Sequence, residues 1–150
     1  MKKIYFDMDG TIADLYSVRG WLEKLRAFDP SPYREAKPLL RLCELARVLN
    51  TLQARGYELG VISWVSKETN AKYTAEIDRA KREWLAQHLA SVHFDSIVIA
   101  DYGTPKSTLA DKIGILFDDN ATVRQEWTDN GGIAYDVNNI LEILRELRQG

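Results

Sequence analysis

Asp7 and Asp9 stand two residues apart in Asp7-Met8-Asp9-Gly10-Thr11, directly after the apolar run Ile4-Tyr5-Phe6. Ser63 follows Leu59-Gly60-Val61-Ile62, and Lys106 follows the loop after Ile97-Val98-Ile99-Ala100. Asp118-Asp119 closes the run Ile113 to Phe117. This set of carboxylates, hydroxyl and ammonium suits chemistry on a phosphate monoester. Such a dianion repels nucleophiles, and its uncatalysed hydrolysis is slow enough that enzymes reach ~10²¹-fold acceleration. A site for it must cancel charge, supply a nucleophile and protonate the leaving alkoxide.

An aspartate can attack phosphorus to give an aspartyl-phosphate, which splits one hard step into two. Asp7 is the candidate nucleophile. Asp9 is placed to protonate the leaving group and later to deprotonate water. Mg²⁺ takes hard oxygen ligands and keeps several waters, so one or two carboxylates and a substrate oxygen suffice. Asp7, with Asp118 or Asp119, can hold such an ion. Asp9 is expected to offer its backbone carbonyl, since a permanently ionised ligand cannot serve as an acid. Gly10 allows a sharp turn, and Thr11 brings a hydroxyl and a backbone N–H near phosphate. Ser63 can donate to a phosphate oxygen, and Lys106 can neutralise charge.

Strands are expected at Ile4–Phe6, Leu59–Ile62, Ile97–Ala100, Ile113–Phe117 and Ile133–Tyr135. Helical spacing runs through Leu15, Val18, Leu22 and Leu25 as far as Phe28, where Asp29-Pro30-Ser31-Pro32 breaks it. Pro38 is read as opening a second helix through Leu39, Leu42, Leu45, Leu49 and Leu52, with Gly56 at its exit. Cys43, the single cysteine, is expected to be a buried thiol of that helix. Lys67 to Leu89 reads as a long polar helix with the apolar stripe Tyr73, Ile77, Ala80, Trp84 and His88. His88 is taken as a packed or edge residue. Lys106 to Asp111 forms a short helix, Ala121 to Thr128 another, and Asn138 caps a last one bearing Ile140, Leu141, Leu144 and Leu147. Strands alternating with helices predict an α/β, Rossmann-like three-layer sandwich with a mostly parallel five-stranded sheet. Ligands of such sheets bind beyond the carboxyl ends of the strands, where the four polar clusters fall.

These clusters resemble the four motifs of the haloacid dehalogenase superfamily. Asp7-Met8-Asp9-Gly10-Thr11 matches the first in full, and Ser63, Lys106 and Asp118-Asp119 match the others by position and order. The resemblance spans residues 1 to 137. It implies a Rossmann-like core, a Mg²⁺ cofactor and Asp7 as nucleophile. An acid at Asp9 is similar to the phosphatase and phosphotransferase branches. Lys106 opens a helix after the third strand and fits the family position better than Lys112, which lies just before the next strand. Which of Asp118 and Asp119 meets the metal stays open.

Other classes fit less well. An EF-hand would need Gly and Glu where Ile12 and Val18 stand. A receiver domain would place its lysine last, whereas Lys106 precedes Asp118-Asp119. A non-catalytic phosphate-binding or regulatory module keeps the same residues and differs only in turnover. The chain has 150 residues, 45% apolar and 28% charged, with a net charge of −2. That is one domain's length, and the balance carries no strong signal for nucleic acid or membrane. No run approaches the ~20 apolar residues of a membrane span, and the apolar stretch after Lys2-Lys3 is too short for a signal peptide. A lone cysteine asks for no oxidising compartment. A cytoplasmic location is the expectation.

Between Thr11 and Ser63 there is room for only two helices, one of them needed for the core crossover. A cap would therefore be very small, Asp14 to Lys37, and the site open. This segment interleaves Tyr16, Trp21, Phe28 and Tyr33 with Arg19, Arg26 and Arg34. Aromatic faces can stack on bases and Arg can meet phosphate. Trp64, directly after Ser63, must lie near the phosphate pocket. Arg19, Trp21 and Trp64 are the candidate substrate contacts. The small cap, Ile-Ser-Trp at the second motif and Phe-Asp-Asp at the fourth look similar to the pyrimidine 5′-deoxynucleotidase branch. The partner expected is a small phosphorylated substrate, a nucleoside monophosphate above others, with sugar phosphates, polynucleotide ends and phosphoproteins as alternatives.

Overall fold

The computed structural model of the protein describes residues 2–150. Strand β1 (Lys3–Phe6) is buried at all four positions, as a central strand covered on both faces must be. Ile4 and Phe6 point to one face, and Tyr5 points to the other, where it packs with Trp127. β4 (Glu58–Trp64) and β6 (Ile115–Phe117) flank β1 in parallel register, pairing Phe6 with Val61 and with Phe117. β5 (Ser96–Ala100) and β7 (Ile133–Tyr135) complete a five-stranded parallel sheet of order β5-β4-β1-β6-β7. The α/β three-layer expectation therefore holds, and every strand of this sheet is parallel.

Helices α3 (Leu42–Ala54) and α6 (Ile140–Gln149) pack together against the Ile4 and Phe6 face. The α3 residues Leu45, Val48, Leu49 and Leu52 are buried, at the spacing of one helical face. α5 (Ala121–Asp129) covers the Tyr5 face through Val123 and Trp127. α4 (Ala71–His88) joins β4 to β5 and buries Tyr73, Ile77, Ala80, Lys81, Trp84 and Leu85. His88 lies 4.4 Å from the Trp84 ring, a packed edge residue as expected.

Several local expectations are corrected. The segment read as one helix to Phe28 is a short 3-10 turn at Leu15–Ser17 followed by α1 (Trp21–Arg26). Gly20, in the left-handed conformation at φ 70°, separates them. α2 (Ser31–Glu35) follows the Pro-rich break. Pro38 does not open α3. It belongs to β3 (Lys37–Pro38), which pairs antiparallel with β2 (Ala13–Asp14). A proline at an edge strand leaves no ladder donor missing on its paired side. Residues 15–36 are thus an excursion that leaves and returns through this two-stranded ladder. Cys43 is exposed, because it sits two residues before Leu45 and turns away from the buried stripe. The fourth helix starts at Ala71, where the Asn70 side chain accepts from the Tyr73 N–H at 2.8 Å, so Lys67 lies in the preceding loop. Asn138 is inside a 3-10 turn, and Asn139 precedes α6 without a side-chain cap bond. Among the described residues no helix is long and apolar enough to cross a membrane.

Candidate active site

β4, β1 and β6 are adjacent at the centre of the sheet, so their carboxyl ends deliver Trp64, Asp7 and Asp118 side by side. The chain leaves β4 and β6 in opposite directions along the sheet, which opens a crevice above β1. Past Asp7 the backbone curls tightly. The Met8 carbonyl accepts from the N–H groups of Thr11, Ile12 and Ala13, each at 3.0 Å. Gly10 takes φ 79° in this loop, a region that penalises a Cβ. A Cβ there would also collide with the Asp119 carboxylate.

Asp7 is held from two sides. Lys106 Nζ donates to Oδ1 at 2.9 Å, and Thr11 Oγ1 donates to Oδ2 at 3.0 Å. Each oxygen retains a lone pair beyond these bonds. Lys106 also donates to Asp118 Oδ2 at 2.7 Å and lies 5.4 Å over the Trp64 ring. Burial works to lower the Lys106 pKa, yet the Asp7 and Asp118 carboxylates outweigh it and hold the ammonium above its usual range. Asp118 is 1% exposed and its Oδ1 accepts from the Asn120 N–H at 2.9 Å. Asn120 in turn caps α5, accepting from the Thr122 and Val123 N–H groups.

Asp7, Asp118 and Asp119 each offer one carboxylate oxygen within 4.8 Å of the others. Burial raises the Asp118 pKa to about 6, and the nearby Asp7 charge adds to it. Burial likewise raises Asp119 to about 7, again with Asp7 contributing. Three carboxylates crowded together with too little positive charge are what a divalent cation relieves. The donors are hard oxygens, the kind of ligand Mg²⁺ takes. The residues present therefore fit Mg²⁺. The Asp9 side chain is not in this cluster. Its Oδ2 accepts from Lys81 Nζ at 2.8 Å. Burial raises the Asp9 pKa, opposed by Lys81 and reinforced by Asp7.

The cluster forms the floor of a cleft of about 390 Å³. Tyr16 and Trp21 meet edge to face on its rim, 5.0 Å between ring centroids. Trp64 and Tyr102 form a second aromatic pair at 5.1 Å, with Trp64 Nε1 fixed on the Thr104 carbonyl at 2.9 Å. Arg26 and Lys67 add positive charge to the lining.

No protein-family model and no curated protein sequence matches the chain. Among solved structures, D,D-heptose 1,7-bisphosphate phosphatase from Burkholderia thailandensis superposes with a TM-score of 0.60 at 12% identity, covering 100% of both chains. The likeness is one of fold.

The structure brings together Asp7, Asp9, Lys106, Asp118, Asp119, Trp64 and Trp21 around one cleft. Lys106 is the lysine at Asp7, while Lys112 is exposed and is held through its backbone, its carbonyl accepting from the Tyr5 hydroxyl and its N–H donating to Asp111 Oδ1. Thr11 and Ser63 are each 1% exposed and sit behind the lining. The Thr11 hydroxyl is spent on Asp7, so it steadies that carboxylate instead of reaching into the cleft. Arg19 is exposed outside the cleft, and Arg26, seven residues on at the end of α1, lines it instead. The unbroken helix expected through Arg19 fails at Gly20, which is why that side chain does not face the site. Sequence reasoning missed Lys81, 1% exposed and bonded to Ser63 Oγ at 2.6 Å. Its signal was its place on the apolar side of α4, four residues after Ile77.

Proposed function

We propose that the protein is a Mg²⁺-dependent phosphomonoester hydrolase of the haloacid dehalogenase type, working through an aspartyl-phosphate on Asp7. The reading is carried by one observation: a carboxylate at a strand end, paired with a buried lysine and two further carboxylates, on the floor of an open cleft. The four ordered motifs support it, and so does the shared fold with a phosphatase of known structure.

Lys106 and Thr11 hold the Asp7 carboxylate in one orientation beneath the cleft. An Asp7 oxygen attacks phosphorus as the bond to the leaving oxygen breaks, and Asp9 gives that oxygen its proton. Water then attacks the phosphorus of the aspartyl-phosphate. Its proton goes to Asp9, the Asp7 oxygen–phosphorus bond breaks, and orthophosphate leaves. Asp9 must be neutral for the first step and ionised for the second, and its raised pKa serves the first. Mg²⁺, held by Asp7 with Asp118 and Asp119, would supply the charge that lets an anionic nucleophile meet an anionic ester. The Asp118–Lys106 bond ties a metal ligand to the ammonium that would face the phosphate.

The substrate proposed is a nucleoside monophosphate. Its support is the aromatic lining, Tyr16 and Trp21 from the residue 15–36 excursion and Trp64 and Tyr102 from the sheet side. Stacking of a base on an aromatic side chain contributes about 1–3 kcal/mol. The excursion acts here as a small cap. A panel of phosphate monoesters tests the reading. Nucleoside monophosphates should turn over with higher kcat/KM than sugar phosphates, phosphopeptides or polynucleotide ends. Refusal of every nucleotide beside turnover of sugar phosphates would overturn the substrate and leave the chemistry. No turnover of any ester with Mg²⁺ present would overturn the chemistry itself.

A further inference from the structure

Lys81 lies on α4, outside the four motifs, and is 1% exposed. A lysine is almost never buried to this degree without partners that satisfy it. Its ammonium has three hydrogens, and each has an acceptor: Asp9 Oδ2 at 2.8 Å, Ser63 Oγ at 2.6 Å and the Trp64 carbonyl at 2.7 Å. The same nitrogen sits 5.1 Å from the centre of the Tyr33 ring, on α2 of the excursion. One charge therefore ties the loop after β1, the end of β4 and the helical excursion together.

An ammonium has no lone pair, so Ser63 must accept this hydrogen bond. Its own O–H is then left to donate to another acceptor. Asp9 cannot rotate its carboxylate away without stranding a buried cation, so its position is fixed with respect to Asp7. Among the described residues no other side chain hydrogen-bonds the Asp9 carboxylate, which stands outside the Asp7–Asp118–Asp119 cluster.

Resting on the phosphatase reading above, we propose that Lys81 is a positioning residue of the reaction. It holds the Asp9 acid–base carboxylate in reach of the leaving oxygen, and its bond to Ser63 Oγ fixes the end of β4 beside it. Loss of Lys81 should thus slow every step in which Asp9 takes part.

The test is a double-mutant cycle with an aryl phosphate as the probe. Lys81→Met keeps the length of the side chain and removes the charge. Its kcat should fall about 10–100-fold, the usual cost of losing a group that orients a reacting residue. In an Asp9→Asn background, the same substitution should change kcat far less, because its effect has already been lost. An equal loss in both backgrounds would show a general structural role and overturn the proposal, as would an unaltered kcat in Lys81→Met. A second measurement needs no change at Lys81. In lysine-¹⁵N-labelled wild-type protein, a slowly exchanging ammonium signal should move in Asp9→Asn and persist in Lys106→Met. A lysine spectrum unaffected by Asp9→Asn would overturn the link, even if Lys81→Met did not fold. An inactive wild type with this signal intact would instead sink the phosphatase reading and leave the Lys81–Asp9 contact standing.

Discussion

The Lys106 ammonium lies 2.9 Å from the Asp7 carboxylate, a contact between residues 99 positions apart in the chain. The same nitrogen holds Asp118 at 2.7 Å. Lys106 therefore sets the distance between the proposed nucleophile and a proposed metal ligand. Lys106→Met should lower kcat/KM for an aryl phosphate by about 10²–10³-fold, as loss of a donor aimed at developing charge does elsewhere. Lys112→Ala, far from the cleft, should stay within about twofold of the wild type. Steady-state kinetics of the two variants side by side checks this.

Asp9→Asn removes a proton donor and acceptor but keeps the shape. Turnover should fall by about 10²–10⁴-fold. Attack by Asp7 on a good leaving group needs no acid, so an aryl phosphate should still phosphorylate the variant. Intact-protein mass spectrometry after acid quench should find the phosphoryl adduct persisting in Asp9→Asn and fleeting in the wild type.

The pH dependence of Mg²⁺ binding follows from Asp118 and Asp119. Both are raised in the folded chain, to about 6 and about 7, above the ordinary carboxylate value of 3.8. Folded metal-free protein thus binds more protons than unfolded protein across that window. Their contribution is fully present below pH ~4 and is lost as pH rises through 6 and 7. Mg²⁺ needs the ionised carboxylates. The increase in Tm on adding Mg²⁺ should therefore be small at pH 5 and grow toward pH 8, read by thermal unfolding with and without the ion.

The folded core was legible because each strand carries its own apolar run, and each run ends at a polar residue. Ile4-Tyr5-Phe6 before Asp7 is the clearest case. What the sequence could not settle depended on distant partners. Lys106 is favoured over Lys112 by its place after the third strand, and it is Lys106 that reaches Asp7 once β1 and β6 lie side by side. Pro38 suits a helix start and an edge strand equally, since its fixed φ fits both, and its partner Ala13 lies in another segment. Lys81 stands on the apolar side of α4, but its partner Asp9 lies 72 positions away and meets it only in the fold. Arg19 was misplaced for a local reason, the left-handed break at Gly20.

Gly10 links backbone and site. Gly10→Ala forces a side chain into the left-handed region and against Asp119. About 1–3 kcal/mol of stability should be lost, seen as a Tm several degrees lower. Mg²⁺ should stabilise this variant less than the wild type, because Asp119 must move to admit the methyl group. Denaturation with and without the ion checks both effects.

The account turns on Asp7 as the nucleophile. The most direct measurement is hydrolysis of an aryl phosphate by wild type and Asp7→Asn, each with Mg²⁺ and with the ion chelated. Mg²⁺-dependent turnover by the wild type is predicted, with a transient phosphoryl group mapped to the Asp7 peptide, and neither turnover nor adduct in Asp7→Asn. Turnover by Asp7→Asn at the wild-type rate, or a phosphoryl group mapped to another residue, would contradict it.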